Sequence, residues 1–182
     1  MDLDGFKTHP SCLLNRGYTV IAIDFSAVSL EINRRNCTFG ASEGIFVRSD
    51  LNRLSLLKNS CDVIVMADFL QHLGSRDSRE RLLGQVFNGL VNGGSYYLSF
   101  FNINIRNYLK NDIHGGFAGG RIRYERLAPL NIAREFPKQI RINSILPMNI
   151  AHNAKLDRLL AKMPFSMLFA RMAVITGVRE IG

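Results

Sequence analysis

Three aspartates stand at the ends of apolar runs, and their placement is the first chemical signal in this chain. In GYTVIAIDFS (17–26) the unbroken Val20, Ile21, Ala22 and Ile23 run into Asp24; GIFVRSDL (44–51) ends near Asp50, and CDVIVMADFL (61–70) ends near Asp68. A carboxylate at a strand tip can accept a pair of O–H bonds from one ligand, each contributing on the order of 1.5–3 kcal/mol. Two histidines add proton chemistry near neutral pH: His72 follows the third run, and His114 opens the glycine-flanked HGGFAGG (114–120). The plainer uses are a simple strand-end acid for each aspartate and a surface or helix-capping group for each histidine. His9, His72, His114 and His152 share no metal-ligand spacing, and Cys12, Cys37 and Cys61 form no CxxC pair. No structural metal and no disulfide framework are expected.

These residues need strands and helices to position them. The three runs are apolar on both faces, as in buried parallel strands. Ser26 is placed to cap a helix over AVSLEINRRN (27–36). SRDSRERLLGQVFNGLVNGG (75–94) puts Leu82, Leu83, Val86, Phe87 and Leu90 on one face, with Gly93 and Gly94 as the expected stop before a fourth strand, GSYYLSFFN (94–102). Beyond it, HGGFAGG reads as a loop, RIRYERLAPLNIAREF as a helix starting around Tyr124, KQIRINSILP as a strand, and AVITGVRE as a last strand antiparallel to its neighbours. The alternation predicts an α/β three-layer sandwich, Rossmann-like, with a mostly parallel sheet. Ligands of such sheets bind at the carboxyl ends of the strands, where the three aspartates fall.

With 182 residues, 47% of them hydrophobic, and no repeat or linker, residues 1–182 are read as one domain. No run of about 20 apolar residues is present, and MDLDGFKTHP lacks the pattern of a secretion signal, so a cytoplasmic protein is expected. The net charge of +8 is uneven: residues 1–100 hold ten basic and ten acidic side chains, residues 101–182 thirteen and five. Such a field suits an anionic substrate, a lipid headgroup or nucleic acid, or only aids solubility. No aromatic-interleaved basic motif supports nucleic acid. The sequence does not fix an oligomeric state.

From Asn15 to Asn102 the sequence resembles the class I S-adenosylmethionine-dependent methyltransferases, especially those acting on small molecules and lipid precursors. GYTVIAIDFS is similar to that family's second strand, whose terminal acid, here Asp24, holds the cofactor's ribose, with Phe25 and Ser26 beside it. RSDL is similar to the end of the third strand, so the resemblance implies that Asp50 and Leu51 contact adenine. CDVIVMADFLQHL resembles the fourth-strand motif, placing Asp68 and His72 near the cofactor's amino acid moiety and the substrate. LVNGG resembles the turn before strand five, with Asn92 in place of a proline. The implied cofactor is S-adenosylmethionine, and the implied acceptor a small or amphiphilic molecule. His72 and His114 are the candidate general bases.

The family's glycine-rich turn is poorly matched. DLDGFKTHPSCLLNRGY (2–18) keeps Gly5 but has Phe6, Lys7 and His9 where small residues belong, and the family's first strand is short or missing. Weak cofactor binding is the expectation that follows. Two rivals remain: a nicotinamide-dependent oxidoreductase, which needs an upstream GxGxxG that is also missing, and a catalytically inactive methyltransferase-like module binding a partner through the basic C-terminal half. LAKMPFSMLFARM (160–172) combines Lys162 and Arg171 with Leu160, Met163, Phe165, Leu168 and Phe169. Packing of this stretch against the sheet is the preferred expectation; peripheral membrane contact by a surface helix is the alternative.

Overall fold

A computed structural model describes residues 10–37, 44–50, 54–118, 122–151 and 154–181. The chain divides into two compact units, Met1–Leu54 and Ser55–Gly182.

In the first unit, α1 (Pro10–Leu14) precedes β1 (Val20–Asp24), α2 (Ala27–Arg35) and β2 (Gly44–Arg48). The two strands pair in parallel, from Val20 opposite Gly44 to Asp24 opposite Arg48. Ser26 caps α2 as its residue type requires, its Oγ accepting from Ser29 N at 3.2 Å. Gly44 is needed for close approach, because a Cβ there would stand 3.2 Å from the buried Leu14 side chain. The place of the short or missing first strand lies outside the described residues, as do Gly5 and Leu51.

The second unit holds a four-stranded sheet in the order β3 (Cys61–Ala67), β4 (Leu90–Phe101), β8 (Met172–Arg179), β7 (Ile140–Met148). β3 and β4 are parallel, and β8 runs antiparallel to both β4 and β7. Three strands therefore share a direction and the last opposes them, as the sequence predicted. Central β8 is apolar on both faces, with Ala173, Val174 and Ile175 fully buried. α3 (Arg76–Gly89) lays Leu82, Leu83, Val86 and Phe87 on the sheet. Phe87, Tyr96 and Phe136 meet edge to face with centroids 4.9, 5.2 and 5.6 Å apart, an arrangement that adds to their burial. Tyr96 fits only because residue 177 is glycine: a Cβ there would come within 1.9 Å of Arg141 O and 2.6 Å of Tyr96 Oη.

Three expectations need correction. First, α3 does not run to Gly93 and Gly94; it ends at Gly89, and Leu90 already pairs with Cys61 in the sheet. Asn59 N and Ser60 N donate to the terminal carbonyls of Asn88 and Gly89, and Arg179 Nη1 reaches Phe87 O, Asn88 O and Leu90 O. With its end capped from elsewhere, the helix needs no glycine stop. Gly93 (φ +78°) and Gly94 instead let the chain bulge between Leu90 and Ser95, where a Cβ on Gly94 would stand 2.9 Å from Val91 O. Second, Tyr124 starts no helix. It belongs to β6 (Ile122–Tyr124), which forms a hairpin with β5 (Gly116–Ala118), so part of HGGFAGG is strand. After α4 (Ile105–Leu109), the expected helix, α5 (Pro129–Ala133), begins at a proline in its first turn. Third, the 160–172 stretch does not pack into the core: Met163, Phe165, Leu168 and Phe169 are all exposed. No described helix is long and apolar enough to cross a membrane.

Candidate functional site

β1 delivers Asp24 to its carboxyl end, and the following turn into α2 fixes the carboxylate. Asp24 Oδ1 accepts from Ser26 N at 2.7 Å, while Oδ2 has no partner among the described residues. Ser49 N donates to Asp24 O, holding the end of β2 beside it. Phe25 projects its ring outward, 66% exposed, with the Arg48 guanidinium 5.9 Å from the ring centroid and Arg48 Nε donating to Phe25 O. Asp24, Phe25 and Ser26 thus form one local group: a half-buried acid with a spare acceptor oxygen, an exposed aromatic face, and a helix cap. Asp50 lies two residues past β2, at the same edge of the two-stranded sheet, and is exposed. This set fits a ligand carrying paired hydroxyls and a flat ring.

In the second unit, Asp68 follows β3 in a left-handed conformation (φ +54°) that turns it toward β4. Buried Ser99 donates from Oγ to Asp68 Oδ1 at 2.5 Å, and Asp68 N donates to Ser99 O. Burial and the Asp68 charge both push the neighbouring Tyr97 phenol up. One turn later comes a 3-10 segment, Leu70–His72. His72 Nδ1 lies 2.7 Å from Arg123 O. A carbonyl only accepts, so Nδ1 carries the proton and Nε2 of the neutral ring keeps its lone pair. Gln71 O accepts from Glu125 N, clamping this segment to the end of β6.

Behind the clamp, buried Arg79 of α3 forks onto Glu135 at 2.8 and 2.7 Å, donates to Leu73 O, and stands 3.8 Å from Glu125. The Glu135 carboxylate, foremost through these hydrogen bonds, holds the guanidinium above its usual range. In front of the clamp is a depression of about 430 Å³ lined by Ile103, Tyr108, Ile113, His114, Arg123, Glu125 and Arg126. Arg126 is neutralised by Asp112 at 2.8 Å, and Arg123 meets Glu125 at 3.1 Å with its side chain 70% exposed. The lining combines the apolar Ile103 and Ile113 and the ring of Tyr108 with His114 and the charged Arg123, Glu125 and Arg126, which suits a small polar or amphiphilic molecule.

Of the residues singled out from sequence, Asp24, Phe25 and Ser26 come together, with Asp50 at the same edge. Asp68 and His72 share the carboxyl end of β3, and His114 lines the depression. Gly5 and Leu51 fall outside the described residues. Ser99, Arg123 and Glu125 escaped sequence reasoning. Ser99 sits in an apolar strand with no motif around it, and RIRYER carries no signal beyond charge.

The sequence pattern of the methyltransferase domain matches residues 5–98, more than half of the chain. A search of curated proteins finds no match. Among solved structures, an S-adenosylmethionine-dependent methyltransferase from Methanosarcina mazei superposes with a TM-score of 0.69 at 16% identity, over 93% of this chain and 86% of that one. An S-adenosylmethionine-dependent methyltransferase from Clostridium acetobutylicum gives 0.66 at 11% identity, over 93% and 78%. The N-methyltransferase NodS from Bradyrhizobium japonicum, in complex with S-adenosyl-L-homocysteine, gives 0.56 at 9% identity, over 88% and 66%. These likenesses share the fold described above, and the domain match carries the assignment: this chain belongs to the methyltransferase domain family.

Proposed function

We propose that the protein is an S-adenosylmethionine-dependent methyltransferase acting on a small-molecule or lipid-precursor acceptor, with residues 1–182 read as a single methyltransferase domain in a cytoplasmic setting. The observation that carries the reading is the Asp24 carboxylate at the carboxyl end of β1, half-buried and with Oδ2 unengaged among the described residues. That oxygen accepts from a ribose hydroxyl, and Phe25 covers the flat face of adenine. Asp50 would accept from the adenine amino group, and Asp68, held by Ser99, is the residue that the family resemblance assigns to the amino acid moiety. Gly5 and Leu51 complete the assigned cofactor contacts.

When bound, S-adenosylmethionine supplies an electrophilic methyl group on a sulfonium. The chain's own part is alignment, exclusion of water and proton removal. His72, with its proton fixed on Nδ1 by Arg123 O, takes the acceptor's proton on Nε2. His114 lines the depression that receives the acceptor. Calorimetry with S-adenosyl-L-homocysteine tests the cofactor half: Asp24→Ala should weaken binding about tenfold, or about 1.4 kcal/mol. Equal affinities would remove Asp24 from the site.

A further inference from the structure

The connection from β7 to β8 leaves the sheet at a particular end. Met148, the last residue of β7, pairs with Met172, the first of β8, and Met172 also pairs with Phe101 at the end of β4. Asp68 and the 103–126 segment with its depression rise from the same end. Within the connection, α6 (Ala154–Leu160) and a further turn through Met163 place Leu156, Leu159 and Met163 on one side, with Lys155, Arg158 and Lys162 on the adjacent side. Leu159 is 65% exposed, Met163 54%, Phe165 76% and Phe169 56%.

This exposure is imposed by the fold. Buried Asn102 donates from Nδ2 to Met167 O at 2.9 Å and Ala170 O at 3.0 Å, and Asn104 adds a bond to Ala170 O. Asp157 accepts from Asn149 N and Ala151 N, pinning the start of the connection. Phe165 is held at φ +62°, a region costly for an aromatic residue. Core amides thus anchor the backbone while its largest apolar side chains face out.

We propose that this surface docks the protein on an anionic lipid bilayer. Its apolar stripe is flanked by exposed Lys155, Arg158, Lys162 and Arg171. Asp157 is the one acid between Asn149 and Met172, and backbone N–H groups occupy both its oxygens. Apolar residues beside a basic stripe match the boundary between acyl chains and anionic headgroups. A second copy is a poor occupant, because two-fold pairing sets four cations against four within a Debye length. Docking turns the sheet end bearing the depression toward lipid, and an amphiphilic acceptor then enters from the membrane. That consequence rests on the proposed acceptor site; the docking does not.

Co-sedimentation of the full chain with phosphatidylglycerol and phosphatidylcholine vesicles tests this. Binding is expected to phosphatidylglycerol, weakening as salt rises. Phe165→Asn should reduce it at least about tenfold, and Lys162→Gln with Arg171→Gln about thirtyfold. Asn adopts the left-handed region readily, so Phe165→Asn should melt no lower than the parent, which separates lost docking from lost folding. The proposal is overturned if phosphatidylglycerol vesicles are not bound, if both lipids bind equally, or if Phe165→Asn binds like the parent. A concentration-dependent dimer in ultracentrifugation that Phe165→Asn abolishes, without vesicle binding, also overturns it.

Discussion

At the scale of single residues, His72 shows how backbone geometry selects a chemical role. The Arg123 carbonyl allows one neutral tautomer, and that tautomer leaves Nε2 as the base. His72→Gln should lower methyl transfer from labelled S-adenosylmethionine into small-molecule extract about a hundredfold, with S-adenosyl-L-homocysteine affinity unchanged by calorimetry. A smaller loss in turnover would assign the proton to another group. Two tyrosines give a pH signature of the core. Burial raises the phenols of Tyr96 and Tyr97, and the Asp68 charge adds to the effect on Tyr97. A folded pKa above the unfolded value contributes stability that is complete below about pH 10 and is lost as pH rises toward the folded value. In that window the unfolded chain releases a proton that the folded chain keeps. Stability should fall by about 1.4 kcal/mol per pH unit through Tyr96, with Tyr97 adding in the same direction. Urea titrations in alkali should show Tyr96→Phe removing one such increment.

At the scale of elements, the Arg79 fork ties α3 to the segment after α5. With Glu135 3% exposed, Arg79→Met leaves a buried carboxylate without its partner and should cost about 3–5 kcal/mol in urea unfolding. Adding Glu135→Leu should recover most of the loss, because the double variant buries no charge. A double variant as unstable as the single one would show that the fork itself holds the helix. The strands were legible in the sequence because uninterrupted apolar runs have few alternatives in an α/β chain: Val20–Asp24, Cys61–Ala67 and Met172–Arg179 fall within a residue or two of their runs. The end of α3 was not legible, since its caps come from Asn59, Ser60 and from Arg179, 89 residues beyond Leu90. Nor was the β5–β6 hairpin, whose short strands carry exposed Phe117 and Ile122 and so no buried periodicity.

At the scale of the whole molecule, the candidate site was legible where one residue type at one strand end suffices. Asp24 and Asp68 follow that rule, and the structure places each at the carboxyl end of its strand. The lining of the depression was legible only at His114, because Ile103, Tyr108 and Arg123 join it only through the 103–126 segment and its hairpin. The 160–172 stretch was misread for a general reason: periodicity reveals an apolar face, and tertiary structure decides whether anything covers it. The central claim is that this chain takes S-adenosylmethionine at the Asp24 strand end. Equilibrium dialysis of labelled S-adenosylmethionine against the parent and Asp24→Ala tests it most directly. The expected result is saturable binding, weaker than micromolar because Phe6, Lys7 and His9 replace small residues, and weakened about tenfold further by Asp24→Ala. Absence of saturable binding at millimolar cofactor, or equal binding by the two proteins, would contradict the account.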